Sequence, residues 1–322
     1  CSALSLASQI SDKNINKYSF LILESRIKYK DDRSWCFWSE KKNSFNNLIS
    51  YSWKNFSFSL KNKKKVHSSK KYNYKYIRSI DFYKFALKKI KKTSYITLNL
   101  GERVEKVNLN KDKYIVNTNK KKYLAKNIID TRPKKNIYLE DPFLYQSFVG
   151  YEIKVKGHMP HFNLAKIMDN MRYESNLFIF DYILPFENNV ILIEATSFSK
   201  KSVPINTLKL ILKNNIKKYK ITNYKIIRQE YGVIPMGFID KARLPKRKNY
   251  YYAGSLGGAI RPSSGYAFLR IQQWATKCSS MLKNDKKLIS HPKEKLITRV
   301  LDMIFLKTLT NNLSLAPSIF FI

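Results

Sequence analysis

Glycine, proline and cysteine are scarce in this sequence. Its 322 residues include 9 Gly, 10 Pro and 3 Cys, while 44% of the residues are hydrophobic and 14% are aromatic. So little glycine and proline excludes collagen-like and low-complexity chains, and the apolar content excludes a disordered one. The three cysteines have neither the pattern of a disulfide framework nor the spacing of a metal site, which predicts a cytoplasmic protein without a metal. His158 and His161 have no partner ligands, and we interpret them as part of a loop.

Long hydrophobic runs are also absent. No stretch of 18 or more uncharged apolar residues occurs, so we expect no helix that spans a bilayer. Residues 300–322 come closest, but Asp302, Lys307 and Pro317 interrupt them. We interpret this segment as a packed helix, with an interfacial membrane element as the alternative.

Acidic residues are few compared with basic ones. Lys and Arg number 61 against 23 Asp and Glu, which gives a formal net charge of +38. Such a charge suggests nucleic-acid binding, but phosphates and bases are recognised mainly by Arg, and only 12 of the 61 basic residues are Arg. The excess of Lys, with many Asn, Ile and Tyr, is typical of an adenine- and thymine-rich coding bias. A nucleic-acid-binding protein is therefore a distant alternative, and an anionic membrane surface fits the charge at least as well.

The first 24 residues have the pattern of a helix followed by a buried strand. Residues 1–10 are small and apolar with helical spacing, and residues 18–24 form an apolar run that ends at Glu24. In a dinucleotide-binding unit such a carboxylate binds the ribose hydroxyls, about 20 residues after the glycines. Ala3 lies at the place of the third small residue, so we expect the first strand and its Gly-x-Gly to be missing before Cys1, in an N-terminally truncated chain. The alternative is that Glu24 merely ends a buried strand.

A second glycine cluster lies between a predicted strand and a predicted helix. Four of the nine glycines fall within residues 254–265, and the helix is expected from Ser264 onward. Glycines allow backbone N–H groups and a helix N-terminus to approach an anionic ligand closely. The predicted cofactor-binding residues of this turn are Gly254, Gly257, Gly258, Pro262 and Gly265.

Two further stretches contain residues suited to acid catalysis and to stabilising a cation. Glu194 ends a run of four aliphatic residues, and a carboxyl group in apolar surroundings can stay protonated and act as an acid. Asp32 precedes the aromatic residues Trp35, Phe37 and Trp38, which we interpret as walls of a pocket whose π faces stabilise a cation. The alternatives are a solvent-facing Glu at a strand end and ordinary aromatic packing in a turn.

The order of predicted elements indicates the α/β fold class. A helix, a strand, a short meander and another strand precede a block of sheet-forming segments, while residues 51–76 show no clear period and are expected to form a surface excursion. We predict a Rossmann-like FAD-binding domain of the flavin hydroxylase or geranylgeranyl reductase type with an inserted, mostly antiparallel substrate sheet. Its first part is residues 1–140, the sheet 141–248, its second part 249–290 and a C-terminal helical segment 291–322.

The sequence resembles the bacterial lycopene beta-cyclases, flavoproteins that close the end rings of a linear carotene. The matching stretches follow the family's order across nearly the whole chain. They are DRSWCFW (32–38), DTRP (130–133), QSFVGYEI (146–153), IMD (167–169), DYILPF (181–186), IEAT (193–196), EYGVIPM (230–236) and GGAIRPSSGYAFLRIQ (257–272). Pro262 and Gly265 follow Gly254 at the offsets of a second flavin motif, although Ser255 replaces its usual Asp. The missing first strand and an apparently shortened C-terminus are the other departures.

The resemblance implies an acid-initiated, non-redox cyclisation. A proton is added to a terminal double bond of lycopene, a neighbouring double bond attacks the cation, and a second proton leaves to give beta-carotene. Glu194 matches the family's acidic position, and Asp32 and Glu230 are candidates for the base. The implied cofactor is reduced FAD, with NAD(P)H or another reductant as electron source, and the implied partners are lycopene and a membrane surface visited peripherally. The nearest alternative is a geranylgeranyl reductase-like or other FAD-dependent oxidoreductase.

Overall fold

The computed structural model describes residues 1–40, 45–132, 137–156, 164–291 and 294–322, so His158 and His161 lie outside the described residues. The helices of these residues are α1 (Ser2–Asp12), α2 (Ser79–Ile90), α3 (Ile205–Lys218), α4 (Phe268–Lys283), α5 (Leu296–Asn311) and α6 (Ala316–Phe321). The strands are β1 (Phe20–Glu24), β2 (Ser34–Glu40), β3 (Tyr51–Trp53), β4 (Asn55–Leu60), β5 (Lys63–Ser68), β6 (Tyr72–Arg78), β7 (Ile96–Leu100), β8 (Val104–Asn110), β9 (Lys113–Thr118), β10 (Lys122–Ala125), β11 (Ile128–Asp130), β12 (Leu139–Val155), β13 (Ala165–Glu174), β14 (Leu177–Pro185), β15 (Val190–Ser199), β16 (Tyr224–Ile239) and β17 (Tyr250–Tyr252).

Helices and parallel strand pairs form one part of the molecule. β1 pairs with β7 and β11 pairs with β17, both in parallel, while β8, β9 and β10 form an antiparallel meander. α1 packs against α2 and α4 because its apolar positions recur with helical spacing and are buried, as at Leu4, Ala7 and Ile10. The predicted order of helix, strand, meander and strand is confirmed.

A large seven-stranded sheet forms the other part. Its strand order is β16–β12–β15–β14–β13–β4–β5, and its pairs are antiparallel except for β13 with β4. β14 and β15 form a hairpin that is buried on both faces, because most of the residues in the two strands are apolar. α3 covers one face through Leu208, Leu212 and Ile216. The predicted domain boundaries stay a prediction, although β4 and β5, from within residues 1–140, pair with this large sheet.

The expectation of a surface excursion at residues 51–76 is wrong. This segment forms four strands, and β6 pairs with β2 and β3 in a small three-stranded sheet. Aromatic residues alternate with polar ones there, so one face of the strand is apolar despite the many Lys residues. Tyr74 and Tyr76 on β6 are fully buried between the small sheet and the large one.

The C-terminal helices complete the cover of the large sheet. α5 and α6 bury Leu306, Leu309 and Ala316 against it, and Phe320 of α6 stacks on Phe178 of β14 with 5.4 Å between ring centroids. Among the described residues, no helix combines the length and the apolar character needed to cross a bilayer. The opposite side of α5 is exposed and apolar, in the five residues Leu296, Ile297, Val300, Leu301 and Ile304.

Candidate active site

Glu194 lies in a row of residues that crosses four strands of the large sheet. Tyr182 on β14, Glu194 on β15, Gly150 on β12 and Glu230 on β16 are directly opposite one another in the antiparallel register. Opposite residues of antiparallel strands point to the same face of a sheet. This face is turned towards the small sheet, because the hydroxyl of Tyr182 hydrogen-bonds to that of Tyr74 on β6 at 2.8 Å.

Gly150 leaves room for the side chain of Glu194. A Cβ atom at residue 150 would lie 2.6 Å from Cγ and 2.9 Å from Oε1 of Glu194, both far inside normal contact distance. Glu194 is only 8% exposed. Burial raises the pKa of Glu194 well above its ordinary value, and the neighbouring Glu230 raises it further, while Arg228 opposes both effects. The protonated acid is therefore the form that this site favours.

Glu230 has surroundings of the opposite kind. Its carboxylate accepts hydrogen bonds from the backbone N–H of Ser34 at 2.8 Å and from the Ser34 hydroxyl at 2.6 Å. Arg228 Nη1 donates to it at 3.1 Å. All three contacts are donors, and one is a guanidinium, so they stabilise the charged carboxylate.

Arg228 connects this carboxylate to a longer chain of buried charges. Its Nε donates to Glu152 at 3.0 Å, and Arg78 lies 3.3 Å from the other oxygen of Glu152 and 2.5 Å from Asp31. Glu152 is opposite Arg228 in the register of β12 and β16. Each buried charge in the chain thus has an opposite partner, and removing one would leave another unpaired.

Tyrosine hydroxyls lie beside Glu194 between the two sheets. Tyr74 lies within 2.8 Å of Tyr182 and 3.1 Å of Tyr266, hydroxyl to hydroxyl. Burial raises the pKa of Tyr266 to about 12 and the pKa of the Cys36 thiol to about 12, so both groups stay protonated at neutral pH. Tyr266 belongs to the second glycine cluster, which therefore reaches the surroundings of Glu194.

The three aromatic residues predicted to line a pocket are not brought together. Side chains alternate along β2, so Trp35 and Phe37 face α2 and α4, where both stack on Phe268. Trp38 faces the large sheet instead and contacts Tyr74 and Phe56, with ring centroids 4.8 and 4.6 Å away. Only Trp38 lies on the side of Glu194. It lines an open, apolar recess of about 230 Å³ with Phe56, Ser69 and Tyr72.

The glycine cluster begins with a tight turn against α1. Gly254 has a φ of +66° and Gly258 a φ of +87°, which other residues rarely adopt. A Cβ at Gly257 would lie 2.6 Å from the carbonyl oxygen of Tyr252, whereas a Cβ at Gly258 would meet nothing within 4 Å. The turn at Gly254 lies beside Ser2, the residue before Ala3, so the glycine loop reaches the start of α1.

The loop continues further than predicted before α4 begins. Pro262 is buried. Gly265 has a φ of +73°, and a Cβ at this residue would lie 3.0 Å from Oε1 of Gln146. The helix expected from Ser264 starts at Phe268, because the left-handed conformation at Gly265 keeps the chain out of helical geometry.

Glu24 and Asp32 lie together at the end of β1. Arg26 donates to Glu24 through its backbone N–H at 3.1 Å and through Nη2 at 3.0 Å, and to Asp32 through Nη1 at 3.2 Å. Burial opposes ionisation, but the hydrogen bonds from Arg26 outweigh it and hold the pKa of Glu24 below its ordinary value. The structure thus groups Asp32 with Glu24, whereas the carboxylate beside Glu194 is Glu230. An ionised Glu24, the start of α1 and a turn with open space at Gly258 fit a dinucleotide such as FAD.

Sequence reasoning missed several residues of this site. Gly150 was detectable, since a glycine inside an otherwise apolar strand signals close approach of another group. The tyrosine cluster and Arg228 had no such signal, because their roles depend on which strands pair.

Comparisons with known proteins give a family and a fold. The sequence model of the family described as "Lycopene cyclase protein" matches residues 1–307, and no curated protein matches significantly. Among solved structures, p-nitrophenol 4-monooxygenase from Pseudomonas putida DLL-E4 has a TM-score of 0.63 at 9% identity, covering 99% of this chain and 85% of that one. A geranylgeranyl bacteriochlorophyll reductase-like protein from Thermoplasma acidophilum has a TM-score of 0.62 at 13% identity, covering 96% of this chain and 80% of that one. A variant of halogenase PltM in complex with FAD has a TM-score of 0.60 at 14% identity, covering 89% of this chain and 69% of that one. Such identities show the fold alone, and the predicted fold class is confirmed.

Proposed function

The chain belongs to the lycopene cyclase family, and from this premise we propose that it is a lycopene beta-cyclase, an isomerase that converts linear lycopene to beta-carotene without net redox change. The observation that carries the proposal is the buried carboxyl group of Glu194, whose surroundings favour the protonated acid. Ring closure starts when such an acid protonates a terminal double bond. The carbon–carbon bond of the ring then forms by attack of a neighbouring double bond, and loss of a proton gives the product.

Glu194 is suited to this step because water has little access to it. Burial keeps out water that would trap a cation, and it also keeps the proton of Glu194 in place at neutral pH. The aromatic residues between the two sheets, among them Trp38, Tyr74 and Tyr182, offer π faces to the cation. One end of the long polyene would enter at the recess beside Trp38.

FAD is the cofactor that we propose for this fold. Glu24, the start of α1 with Ala3, and the loop with Gly254, Gly257, Gly258, Pro262 and Gly265 would hold it. When bound in its reduced form, FAD supplies an electron-rich ring that stabilises positive charge, and NAD(P)H or another reductant keeps it reduced. These residues bind and orient the group, while the proton comes from Glu194.

Contact with a membrane follows from the substrate. Carotenes reside in bilayers, so we propose that this protein, on the cytoplasmic side, touches a bilayer peripherally. The exposed aliphatic face of α5 is the proposed contact, since an amphipathic helix can lie in the interface between headgroups and acyl chains. Surface Lys residues would add attraction to anionic lipid.

The experiment that tests the function is cyclisation of lycopene in liposomes with reduced FAD. We expect a product of unchanged mass, whereas a reductase would add hydrogen. Glu194→Gln should lower turnover about 10²–10⁴-fold, the usual contribution of a general acid, while flavin stays bound. Asp181→Asn is the matched control, because it removes another buried carboxyl from the opposite face of the same sheet. Near-normal turnover in Glu194→Gln would contradict the role of Glu194.

A further inference from the structure

Glu194 and Glu230 are placed on either side of a residue that has no side chain. Gly150 lies opposite both of them, on the strand between theirs. Neighbouring strands are about 4.8 Å apart, so two side chains from the flanking strands meet only if the middle position is empty. The side chain of Glu194 occupies that space, as the 2.6 Å distance to a Cβ at residue 150 demonstrates. The register and the glycine together place the two carboxyl groups on one face of the sheet, with no side chain of β12 between them.

The two carboxyl groups differ in their other contacts. Glu230 accepts two hydrogen bonds from Ser34 and one from Arg228, and such donors are suited to a carboxylate. On its own face of the sheet, Glu194 is next to Gly150 and Tyr182 on the neighbouring strands and to the fully buried Leu192 two residues earlier on β15. Two carboxylates in contact repel each other, so a single proton on the less solvated one is the stable arrangement.

We propose that Glu194 and Glu230 form a carboxyl pair that shares one proton, with the proton on Glu194 and the charge on Glu230. Glu230 is then a positioning residue, which acts through Glu194. The inference rests on the proposed cyclase function for its role in turnover, but the state of the pair exists without substrate.

The pair has a consequence for the protonation step. The O–H bond of Glu194 breaks as a C–H bond forms on the terminal double bond, so the pair changes from a charge of −1 to −2 while the polyene becomes a cation. The second negative charge stabilises the cation across a medium with little water. The cyclised cation later releases a proton, and return of a proton to the pair restores its charge of −1. No oxidant or reductant is consumed in these steps.

The first test is infrared spectroscopy of the wild-type protein as a function of pH, without substrate. We expect a band of a protonated carboxyl group that persists at neutral pH and is lost in Glu194→Gln. Because Asp181 is another buried carboxyl with a raised pKa, Asp181→Asn identifies its contribution. If the only band lost in Glu194→Gln disappears in the ordinary titration range of glutamate, the pair does not exist. This measurement does not depend on any variant of Glu230 folding.

The second test compares the wild type with Glu230→Gln. Removing the neighbouring charge should lower the midpoint of the Glu194 band by about 1–3 pH units, the range expected for a close charge. The alkaline limb of the turnover profile should move by the same amount. An unchanged midpoint would overturn the inference even if lycopene is cyclised. A shifted midpoint without cyclisation would support the pair and contradict the proposed function.

Discussion

Gly150→Ala displaces the carboxyl group of Glu194 while leaving both glutamates in the sequence. The φ of Gly150 is not in the left-handed region, so an alanine is compatible with the backbone and the added methyl group is the whole perturbation. That methyl group would lie 2.6 Å from Cγ of Glu194. Because ordinary contacts between carbon atoms are about 3.5–4 Å, the Glu194 side chain has to move by about 1 Å.

A displacement of this size sets the expected magnitude. Misplacing a reacting group by about 1 Å costs about 10²-fold in rate, which is about 2.7 kcal/mol of transition-state stabilisation. Overpacking a core costs about 1–3 kcal/mol in the free energy of unfolding. We therefore expect a lower melting temperature, and a loss of turnover that exceeds what the folded fraction explains.

The assay is turnover of lycopene per folded, flavin-bearing molecule, with Gly237→Ala as the matched control. A Cβ at residue 237 would lie 2.7 Å from Cβ of Phe143, an overlap of similar size in the same sheet, but between β16 and β12 and not beside Glu194. Both variants should lose stability, but only Gly150→Ala should lose turnover. Equal turnover in the two variants would refute the idea that Gly150 positions Glu194.

Three further predictions concern the loop, the pH and the membrane. Gly257→Ala should abolish flavin retention, measured by absorbance, because the added Cβ meets the backbone oxygen of Tyr252. Gly258→Ala should weaken flavin retention less, because its Cβ has open space and only the φ of +87° opposes it. The free energy of unfolding of the wild type should fall as pH rises from the ordinary range of glutamate through the raised pKa of Glu194. The reason is that the folded state keeps a proton that the unfolded chain has already released. Thermal denaturation of Glu194→Gln as a function of pH should lack this fall. Replacing Leu301 and Ile304, which are 60% and 56% exposed, by Gln should reduce sedimentation with anionic liposomes while leaving the melting temperature unchanged.

The sequence was sufficient for features that depend on neighbouring residues. The strand ending at Glu24, the aliphatic run ending at Glu194 and the glycine turn at Gly254 each follow from local periodicity and residue type. The side of β2 on which Trp35 lies also follows from strict alternation, which the pocket prediction did not apply.

Features that depend on strand pairing could not be predicted in this way. Glu194 and Glu230 come together only because β12 lies between their strands in one particular register. A shift of one residue would turn every side chain of β12 to the other face. Gly150 marks the register, but its partner strands are found only in the folded chain.

The distribution of charge explains why the large excess of Lys says little about the chemistry. The buried charges beside Glu194 are carried by Arg228, Glu152 and Glu230, whose side chains are at most 7% exposed. A guanidinium suits such a position because its fork satisfies several acceptors at once and it is more weakly hydrated than an ammonium group. Lysines instead occupy exposed strands such as β5, where their ammonium groups stay hydrated and cost little folding free energy. Net charge therefore describes the surface of the protein, while the proposed reaction depends on a few buried groups that the overall composition does not reveal.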